Sequence, residues 1–271
     1  MDRYAVIGNP IGHSKSPKIH RLFGEQLGHK ISYEKLEATE ASFYSTVEDF
    51  FRSGGRGLNV TLPFKGLAFE LCDSLGKHAN SSGAVNTLSF SEDARIYGES
   101  TDGIGLINDL KNNGISVSGR SILLIGSGGT TKSILPSIID LNPKSITLTN
   151  RTKKNALSLR DSFLHLFPIG CVSGDEIDRN YDLVINTTSS QLSNTLPMVG
   201  PVSVNGADTY DVNYAWQQTL FQSWCGENGS RSAIQGWGML VEQAAESFSI
   251  WRGVKPETES IIQRLQSEVE N

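Results

Sequence analysis

The segment 121–131 indicates the fold class, and its sequence is Ser121-Ile-Leu-Leu-Ile-Gly-Ser-Gly-Gly-Thr-Thr131. In it, a short apolar run leads directly into a glycine-rich turn. The run predicts a buried strand at 121–125, and the residues after the turn predict a helix at 131–141. A glycine without a Cβ lets a phosphate approach the backbone, and the free N–H groups at a helix start attract the anion. The strand–turn–helix order is therefore typical of a dinucleotide-binding turn.

The glycine spacing of this turn is Gly126-x-Gly128-x-x-Thr131, so a threonine stands where the dinucleotide fingerprint has its third glycine. That glycine normally permits close packing of helix on strand, and Thr131 puts such packing in question. A tight turn that binds no ligand is the alternative interpretation. We assign cofactor binding to five residues of the turn, which are Gly126, Ser127, Gly128, Gly129 and Thr130.

Strands and helices alternate on both sides of the turn. Further strands at 145–149 and 182–186, with a helix at 153–166, complete a β-α-β-α-β series typical of a Rossmann-type parallel sheet. A connecting helix at 104–112 precedes it. The residues before about 100 predict strands at 4–8, 32–36, 57–62 and 84–90 and helices at 16–27, 40–52 and 64–75, with Ser16 as the cap of the first helix.

The predicted organisation is a two-domain α/β fold. We expect a substrate-binding domain at 1–101 and a nucleotide-binding domain at 102–237. Apolar residues at helical spacing predict two further helices, at 238–251 and 256–269. We expect this terminal segment, 238–271, to pack back across the domain junction onto the substrate domain.

Composition narrows the class of protein. The chain has 271 residues, a net charge of −5 and 38% hydrophobic residues, so we expect neither a disordered protein nor a nucleic-acid-binding one. No apolar stretch approaches the roughly 20 residues of a membrane helix. Three isolated cysteines indicate a reducing, cytoplasmic location, and the histidines show no metal-ligand spacing. The only protein partner that we expect is a second copy of the chain, in a homodimer.

The end of the second strand of the nucleotide domain indicates the cofactor. The residues there are Thr149-Asn150-Arg151-Thr152, with no carboxylate to bind the ribose 2′-hydroxyl of NAD. Arg151 instead suits the 2′-phosphate of NADP and can stack on the adenine. We therefore predict NADP, with Asn150, Arg151 and Thr152 as binding residues, and we interpret Lys153 and Lys154 as solvated charges.

Several polar residues of the first hundred follow predicted strands. Open α/β sheets bind ligands outside the carboxyl ends of their strands, so these groups can converge. They suit a small polyhydroxylated acid, and they are Ser14, Lys15, Ser16, Asn59, Thr61, Lys65, Asn86 and Thr87. Taken singly, a helix cap for Ser16, a turn for Asn86 and a surface position for Lys65 are equally good interpretations.

Six separate motifs resemble the shikimate dehydrogenase family, in the expected order, between residue 4 and about residue 252. They are Asn9-Pro-Ile-Gly-His-Ser-Lys-Ser-Pro17, Asn59-Val-Thr-Leu-Pro-Phe-Lys65, Gly83-Ala-Val-Asn-Thr87, Thr101-Asp-Gly103, Asn150-Arg-Thr152 and Gly238-Met-Leu-Val-Glu-Gln243. The resemblance implies reversible reduction of 3-dehydroshikimate to shikimate with NADPH, a step of chorismate and aromatic amino acid biosynthesis.

The same resemblance assigns residue roles. Lys65 resembles the family's proton-transfer residue and Asp102 its hydrogen-bonding partner, which suits a reaction that brings a proton to a ketone oxygen. The residues that resemble the substrate-binding set, besides Lys65 and Asp102, are Ser14, Ser16, Thr61, Asn86, Tyr214 and Gln243. Val212 and Gly236 match positions beside the nicotinamide.

Four positions depart from the family pattern. Val212 stands where methionine is common, Gln235 and Trp237 replace an aspartate and a leucine, and Asn155 replaces a frequent second cation. The first three affect the expected nicotinamide pocket, and the last suggests a weaker hold on the 2′-phosphate. The alternatives are a paralogue that uses quinate or NAD and a non-catalytic nucleotide sensor. Retention of Lys65 and Asp102 argues against the sensor.

Overall fold

A mixed six-stranded sheet organises the first of two structural units in the computed structural model, which describes residues 1–91, 93–190 and 194–267. Its strands are β1 (Asp2–Gly8), β2 (Ile31–Glu37), β3 (Gly55–Val60), β4 (Ser74–Leu75), β5 (Thr87–Phe90) and β6 (Ile96–Glu99). The order across the sheet is β2-β1-β3-β5-β6-β4. β1 runs parallel to β2 and β3, whereas β5 is antiparallel to β3 and β6.

Four helices of this unit contribute buried residues to it. They are α1 (Ser16–Leu27), α2 (Phe43–Arg52), α3 (Lys65–Leu71) and α4 (Lys77–Ser82). Phe43, Val47, Phe50 and Phe51 recur at helical spacing in α2 and join one core cluster with Leu58 of β3. This buried apolar stripe accounts for the predicted helix at 40–52, whose first three residues form a 3-10 turn.

Two local predictions were wrong. The helix predicted at 64–75 ends at Leu71, because Cys72 takes an extended backbone conformation and Asp73 N–H donates to the Ile96 carbonyl at 2.9 Å. Ser16 is the first helical residue of α1 rather than its cap, and the cap position is Lys15. The Ser14 hydroxyl accepts the Ser16 N–H at 3.3 Å, so a serine two residues earlier satisfies that donor.

An all-parallel six-stranded sheet organises the second unit, which follows α5 (Asp102–Asn112). Its strands are β7 (Ser121–Ile125), β8 (Ser145–Thr149), β9 (Ile169–Cys171), β10 (Leu183–Asn186), β11 (Asp208–Asp211) and β12 (Ser232–Gln235), and its helices are α6 (Gly129–Ile139), α7 (Lys153–Phe163) and α8 (Leu220–Glu227). The order β12-β11-β10-β7-β8-β9 is that of a Rossmann sheet and confirms the predicted fold class.

The chain then forms α9 (Trp237–Arg252) and α10 (Glu259–Ser267). One unit comprises Met1–Gly105 with Leu240–Arg264, and the other comprises Leu106–Met239 with a terminal segment that begins at Leu265. Most of α9 and α10 therefore belongs to the same unit as the N-terminal sheet. The predicted last helix extends to Val269, which lies outside the described residues. None of the described helices has the length and apolar character needed to cross a bilayer.

Candidate functional site

Lys65 and Asp102 form a largely buried ion pair in the first unit. Lys65 is the first residue of α3 and Asp102 the first residue of α5, where a carboxylate also suits the positive end of the helix dipole. The Lys65 Nζ donates to the Asp102 Oδ2 at 2.5 Å, and the two side chains are 13% and 9% exposed. A pair with so little solvent contact is weakly screened, so each charge orients the other.

The Asn86 side chain fixes the second oxygen of Asp102. The Thr101 backbone N–H, which can only donate, lies 2.8 Å from the Asn86 Oδ1, and this assigns the orientation of the amide. The amide Nδ2 then donates to the Asp102 Oδ1 and to the Thr101 Oγ1, both at 2.9 Å. Both oxygens of Asp102 are thus engaged, one by Lys65 and one by Asn86.

Gln243 joins this cluster from α9. The Asn86 Nδ2 lies 3.4 Å from the Gln243 Oε1, and the Gln243 Nε2 donates to the Leu240 carbonyl at 2.8 Å. Gly105 of α5 permits this approach, because a Cβ at that position would lie 2.7 Å from the Gln243 backbone nitrogen. The structure therefore brings Lys65, Asn86, Asp102 and Gln243 together, although they span most of the sequence.

The other substrate-binding candidates of this unit lie nearer the start of α1 and the end of β3. Ser14 and Ser16 are joined by the hydrogen bond described above, and Ser16 lies beside the buried Tyr33 phenol. Thr61 directly follows β3, and its N–H donates to the Ile7 carbonyl of β1 at 2.9 Å. These three residues share the carboxyl-terminal edge of the parallel strands with the ion pair.

Sequence reasoning missed two residues of the cluster, Thr101 and Ser247. Thr101 precedes Asp102 within a quoted motif, and its backbone and hydroxyl both contact Asn86. Ser247 lies one helical turn after Gln243 on α9, so the i, i+4 spacing could have identified it. Both side chains are fully buried.

The glycine turn of the second unit fits a dinucleotide. Gly126 has φ +114°, and a Cβ there would lie 2.4 Å from the Thr187 Oγ1, so the turn itself requires this glycine. A Cβ on Gly128, by contrast, would meet no described atom within 4 Å. The space in front of Gly128 is therefore open at the start of α6, whose first N–H groups have no intrahelical acceptor. Ser127, Gly129 and Thr130 flank it, half-buried.

Thr131 packs closely despite replacing a glycine. It is fully buried, and its Oγ1 donates to the Gly126 carbonyl at 3.0 Å. The Thr187 Oγ1 lies 2.7 Å from the Thr131 Oγ1 and 2.9 Å from the Ile125 carbonyl, so with the Thr131 proton on Gly126 the Thr187 hydroxyl is the donor to Thr131. The Thr187 N–H donates to the Ile125 carbonyl at 2.8 Å. These contacts of Thr131 and Thr187 hold the end of β7, and the turn stays tight without the third glycine.

The candidate NADP-specificity residues lie after β8. Arg151 and Thr152 are exposed, and the Asn150 Nδ2 donates to the Thr152 carbonyl at 3.0 Å, which holds the start of α7. Lys153 pairs with Glu176 at 3.3 Å on the surface, in keeping with a solvated charge. Asn155 is also exposed.

Gln235 and Trp237, two of the departures from the family pattern, hold the segment after β11. The Gln235 Oε1 accepts the Ala215 N–H at 2.8 Å, and the Trp237 Nε1 donates to the Ala215 carbonyl at 3.1 Å. The Tyr214 ring packs on Trp237 with a centroid distance of 4.6 Å. Burial raises the pKa of Tyr214, so its phenol remains a neutral donor near pH 7.

The remaining two cofactor candidates flank that segment. The Val212 N–H donates to the Asn186 carbonyl at 2.9 Å, which places Val212 just beyond the end of β11. The Gly236 N–H donates to the Asn213 carbonyl at 3.0 Å. Both lie at the carboxyl-terminal edge of the parallel sheet, where such sheets bind ligands.

Comparison with known proteins gives consistent matches along the chain. Residues 6–88 match the model of the shikimate dehydrogenase substrate-binding domain. Residues 109–196 match that of shikimate/quinate 5-dehydrogenase, and residues 236–266 match that of the shikimate 5′-dehydrogenase C-terminal domain. A shikimate dehydrogenase (NADP⁺) from Alkalilimnicola ehrlichii is 45% identical over 269 residues, which cover 98% of this chain and 99% of that protein.

Solved structures agree with these matches. An Ael1 enzyme from Pseudomonas putida superposes with a TM-score of 0.92 at 37% identity, over 100% of both chains. The shikimate 5-dehydrogenase from Thermus thermophilus, solved in complex with NADP(H) and shikimate, has a TM-score of 0.88 at 28% identity. That match covers 98% of this chain and 100% of the other.

Proposed function

This chain belongs to the shikimate dehydrogenase family, and from that premise we propose that Lys65 and Asp102 form its proton-transfer pair. The enzyme catalyses the reversible NADPH-dependent reduction of 3-dehydroshikimate to shikimate in aromatic amino acid biosynthesis. The observation that supports the proposed pair is the 2.5 Å contact between the Lys65 Nζ and the Asp102 Oδ2 in a largely buried site.

The residues of the pair have complementary tasks. NADPH, when bound, supplies the hydride that reduces the ketone carbon. The Lys65 ammonium donates a proton to the ketone oxygen, on which negative charge develops. Asp102 holds the ammonium in place and can accept a hydrogen bond from a neighbouring substrate hydroxyl. In the oxidative direction a neutral Lys65 accepts the hydroxyl proton, and Asp102 stabilises the ammonium that forms.

The other polar groups would bind and orient the substrate. Asn86 and Gln243 lie within hydrogen-bond range of each other beside Asp102 and present amide groups that suit hydroxyls. We assign the substrate carboxylate to the hydroxyls of Ser14 and Ser16, because neutral donors at the start of α1 suit an anion. Thr61 and Tyr214 complete the proposed substrate set.

The cofactor would be held by residues of the second unit. The open space at Gly128 supports pyrophosphate binding by the turn, and the exposed Arg151 supports recognition of the 2′-phosphate. The segment after β11 would bind the nicotinamide end of the cofactor. The proposed residues are Gly126, Ser127, Gly128, Gly129, Thr130, Asn150, Arg151, Thr152, Val212 and Gly236.

Substitution of Lys65 tests the proposed pair. We expect Lys65→Ala to lower turnover of 3-dehydroshikimate by a factor on the order of 100 or more, the usual scale for a lost general acid. Shikimate should still bind, which isothermal titration calorimetry would measure. The control is Lys30→Ala, an exposed lysine of the same unit, which should keep wild-type turnover. Near wild-type turnover in Lys65→Ala would refute the assigned role.

The cellular location and the oligomeric state of the enzyme are also proposals. The free thiols of Cys72, Cys171 and Cys225 suit a reducing compartment, and we propose the cytoplasm. A homodimer stays a prediction, and sedimentation equilibrium of the purified protein would test it.

A further inference from the structure

A buried polar network extends from the proton-transfer pair into the interior of the first unit. It comprises Asn59, Asn86, Thr87, Thr101 and Ser247, which are all at most 6% exposed. Burying so many polar groups is costly unless each finds a partner, so the hydrogen bonds within the network determine how its side chains are oriented.

Ser247 is the centre of this network. Its Oγ accepts from the Asn59 Nδ2 at 2.9 Å and lies 2.7 Å from the Thr87 Oγ1 and 3.3 Å from the Thr101 Oγ1. It can also donate to the Gln243 carbonyl at 3.0 Å, one turn earlier on α9. One hydroxyl thus connects α9 to the ends of β3 and β5 and to the residue before Asp102.

The network leads to Asp102 through the Asn86 amide. The Thr87 Oγ1 donates to the Asn86 Oδ1 at 3.0 Å, beside the bond from the Thr101 N–H. When Thr87 uses its single proton there, the bond between Thr87 and Ser247 takes its proton from Ser247. The Ser247 hydroxyl therefore supports the orientation in which the Asn86 Nδ2 faces the Asp102 Oδ1.

We propose that Ser247 is a positioning residue for the Lys65–Asp102 pair, acting through Thr87 and Asn86. The proposal rests on the proposed function of that pair. Removal of the hydroxyl takes away the proton that Ser247 donates to the Thr87 Oγ1. It also leaves the Asn59 amide with its longer contacts, at 3.2 Å to the Asn86 carbonyl and to the Thr87 Oγ1. The Asn86 amide then holds Asp102 less firmly, and proton transfer slows while the substrate-binding groups remain.

The test is Ser247→Ala in the full-length enzyme with 3-dehydroshikimate and NADPH. We expect kcat to fall roughly five-fold, the scale of one lost hydrogen bond, with KM for the substrate within about two-fold of wild type. The solvent deuterium isotope effect on kcat should rise, because the proton step becomes more rate-limiting. The matched control is Ser100→Ala, since the Ser100 Oγ is buried in the same unit and has no hydrogen-bond partner among the described residues. Its kcat should stay at the wild-type value.

A second pair of variants covers the case in which Ser247→Ala does not fold. Thr87→Val removes the next hydroxyl at nearly the same volume, and it should reproduce the lower kcat and the larger isotope effect. Thr87→Ser keeps the hydroxyl and should retain more of the wild-type kcat than Thr87→Val. A lower kcat without a larger isotope effect would indicate a structural defect and overturn the proposal, as would wild-type behaviour of Ser247→Ala or Thr87→Val.

The turnover of Lys65→Ala and Ser247→Ala distinguishes a wrong positioning role for Ser247 from a wrong proton-transfer role for Lys65 and Asp102. If Lys65→Ala keeps its turnover, the pair is wrong and Ser247 has nothing to position. If Lys65→Ala loses turnover and Ser247→Ala does not, the pair stands and the positioning role is refuted.

Discussion

At the scale of single residues, side-chain type decides most of the chemistry. A guanidinium remains charged at any working pH and can bind a phosphate with two parallel hydrogen bonds, which an ammonium cannot do. Arg151 is exposed after β8, with Asn150 bonded to the chain beside it. The position, rather than the general basicity of the segment 151–154, is what makes Arg151 a candidate for phosphate recognition.

Arg151→Ala should therefore separate the two cofactors. Because charge-assisted hydrogen bonds contribute about 1.5–3 kcal/mol, we expect KM for NADPH to rise roughly 10-fold or more while KM for NADH changes little. Steady-state kinetics with each cofactor measures this. Lys154→Ala, an exposed charge three residues away, is the control and should alter neither value. Equal changes in both KM values would contradict the role of Arg151.

At the scale of elements, the segment after β11 depends on the strand and helix that follow it. Gln235 ends β12 and Trp237 begins α9, and together they satisfy both backbone groups of Ala215. Trp237 is 2% exposed and packs on both Tyr214 and Trp216. Gln235 and Trp237 therefore hold the same backbone segment together.

Trp237→Leu, which restores the residue common in the family, should consequently destabilise this chain. Loss of a buried indole leaves a cavity and an unpaired carbonyl, so we expect the free energy of unfolding to fall by about 2–4 kcal/mol. KM for the substrate should also rise, because Tyr214 loses its packing partner. Urea unfolding and steady-state kinetics measure the two effects. The half-buried Trp224 supplies the comparison. Trp224→Leu should lower the free energy of unfolding by less than Trp237→Leu does. A larger decrease for Trp224→Leu would argue against this account.

At the scale of the whole molecule, each unit has a sheet and a core of its own. In the first unit, the core includes a buried histidine, His20, whose ring stacks on Tyr33 at 4.4 Å and lies among Phe23, Phe248 and Trp251. Burial lowers the pKa of His20 to about 3. The folded protein therefore keeps this ring neutral at pH values at which the unfolded chain protonates it.

This difference makes the stability of the first unit depend on pH. Above the unfolded pKa of about 6.5 neither state binds the proton, and the full stability is present. As the pH falls from there toward 3, the unfolded state binds one more proton, so His20 costs about 1.4 kcal/mol of stability per pH unit. His20→Phe should remove this contribution. Hydrogen exchange of α1 amides at pH 7 and pH 5 measures it, and an unchanged slope in the variant would contradict the assignment.

Local patterns predicted the elements that have strong periodicity. The apolar strand β7, the phenylalanine face of α2 and the helix α9 all follow from residue spacing, which reflects backbone geometry within a few turns. The strands β4, β6, β9, β11 and β12 and the helices α4 and α8 were missed. The sequence of β11 is Asp208-Thr-Tyr-Asp211, which contains no apolar run. All four residues are nevertheless buried within a parallel sheet. Its partners lie more than 20 residues away, so no local signal marks it as a strand.

Residue patterns predicted the fold class, which the sheet order confirms, and six spaced motifs indicated Lys65 and Asp102 as candidate site residues. The contacts between distant segments were visible only in the tertiary structure. Ser247 contacts Asn59 and Thr87 across some 160 residues or more. Thr131 replaces a glycine and bonds to Thr187, and Gln235 and Trp237 both bond to Ala215. The physical reason is that side-chain chemistry is a property of each residue. The partner of a buried donor or acceptor is chosen by how distant segments pack, and sequence spacing does not encode that choice.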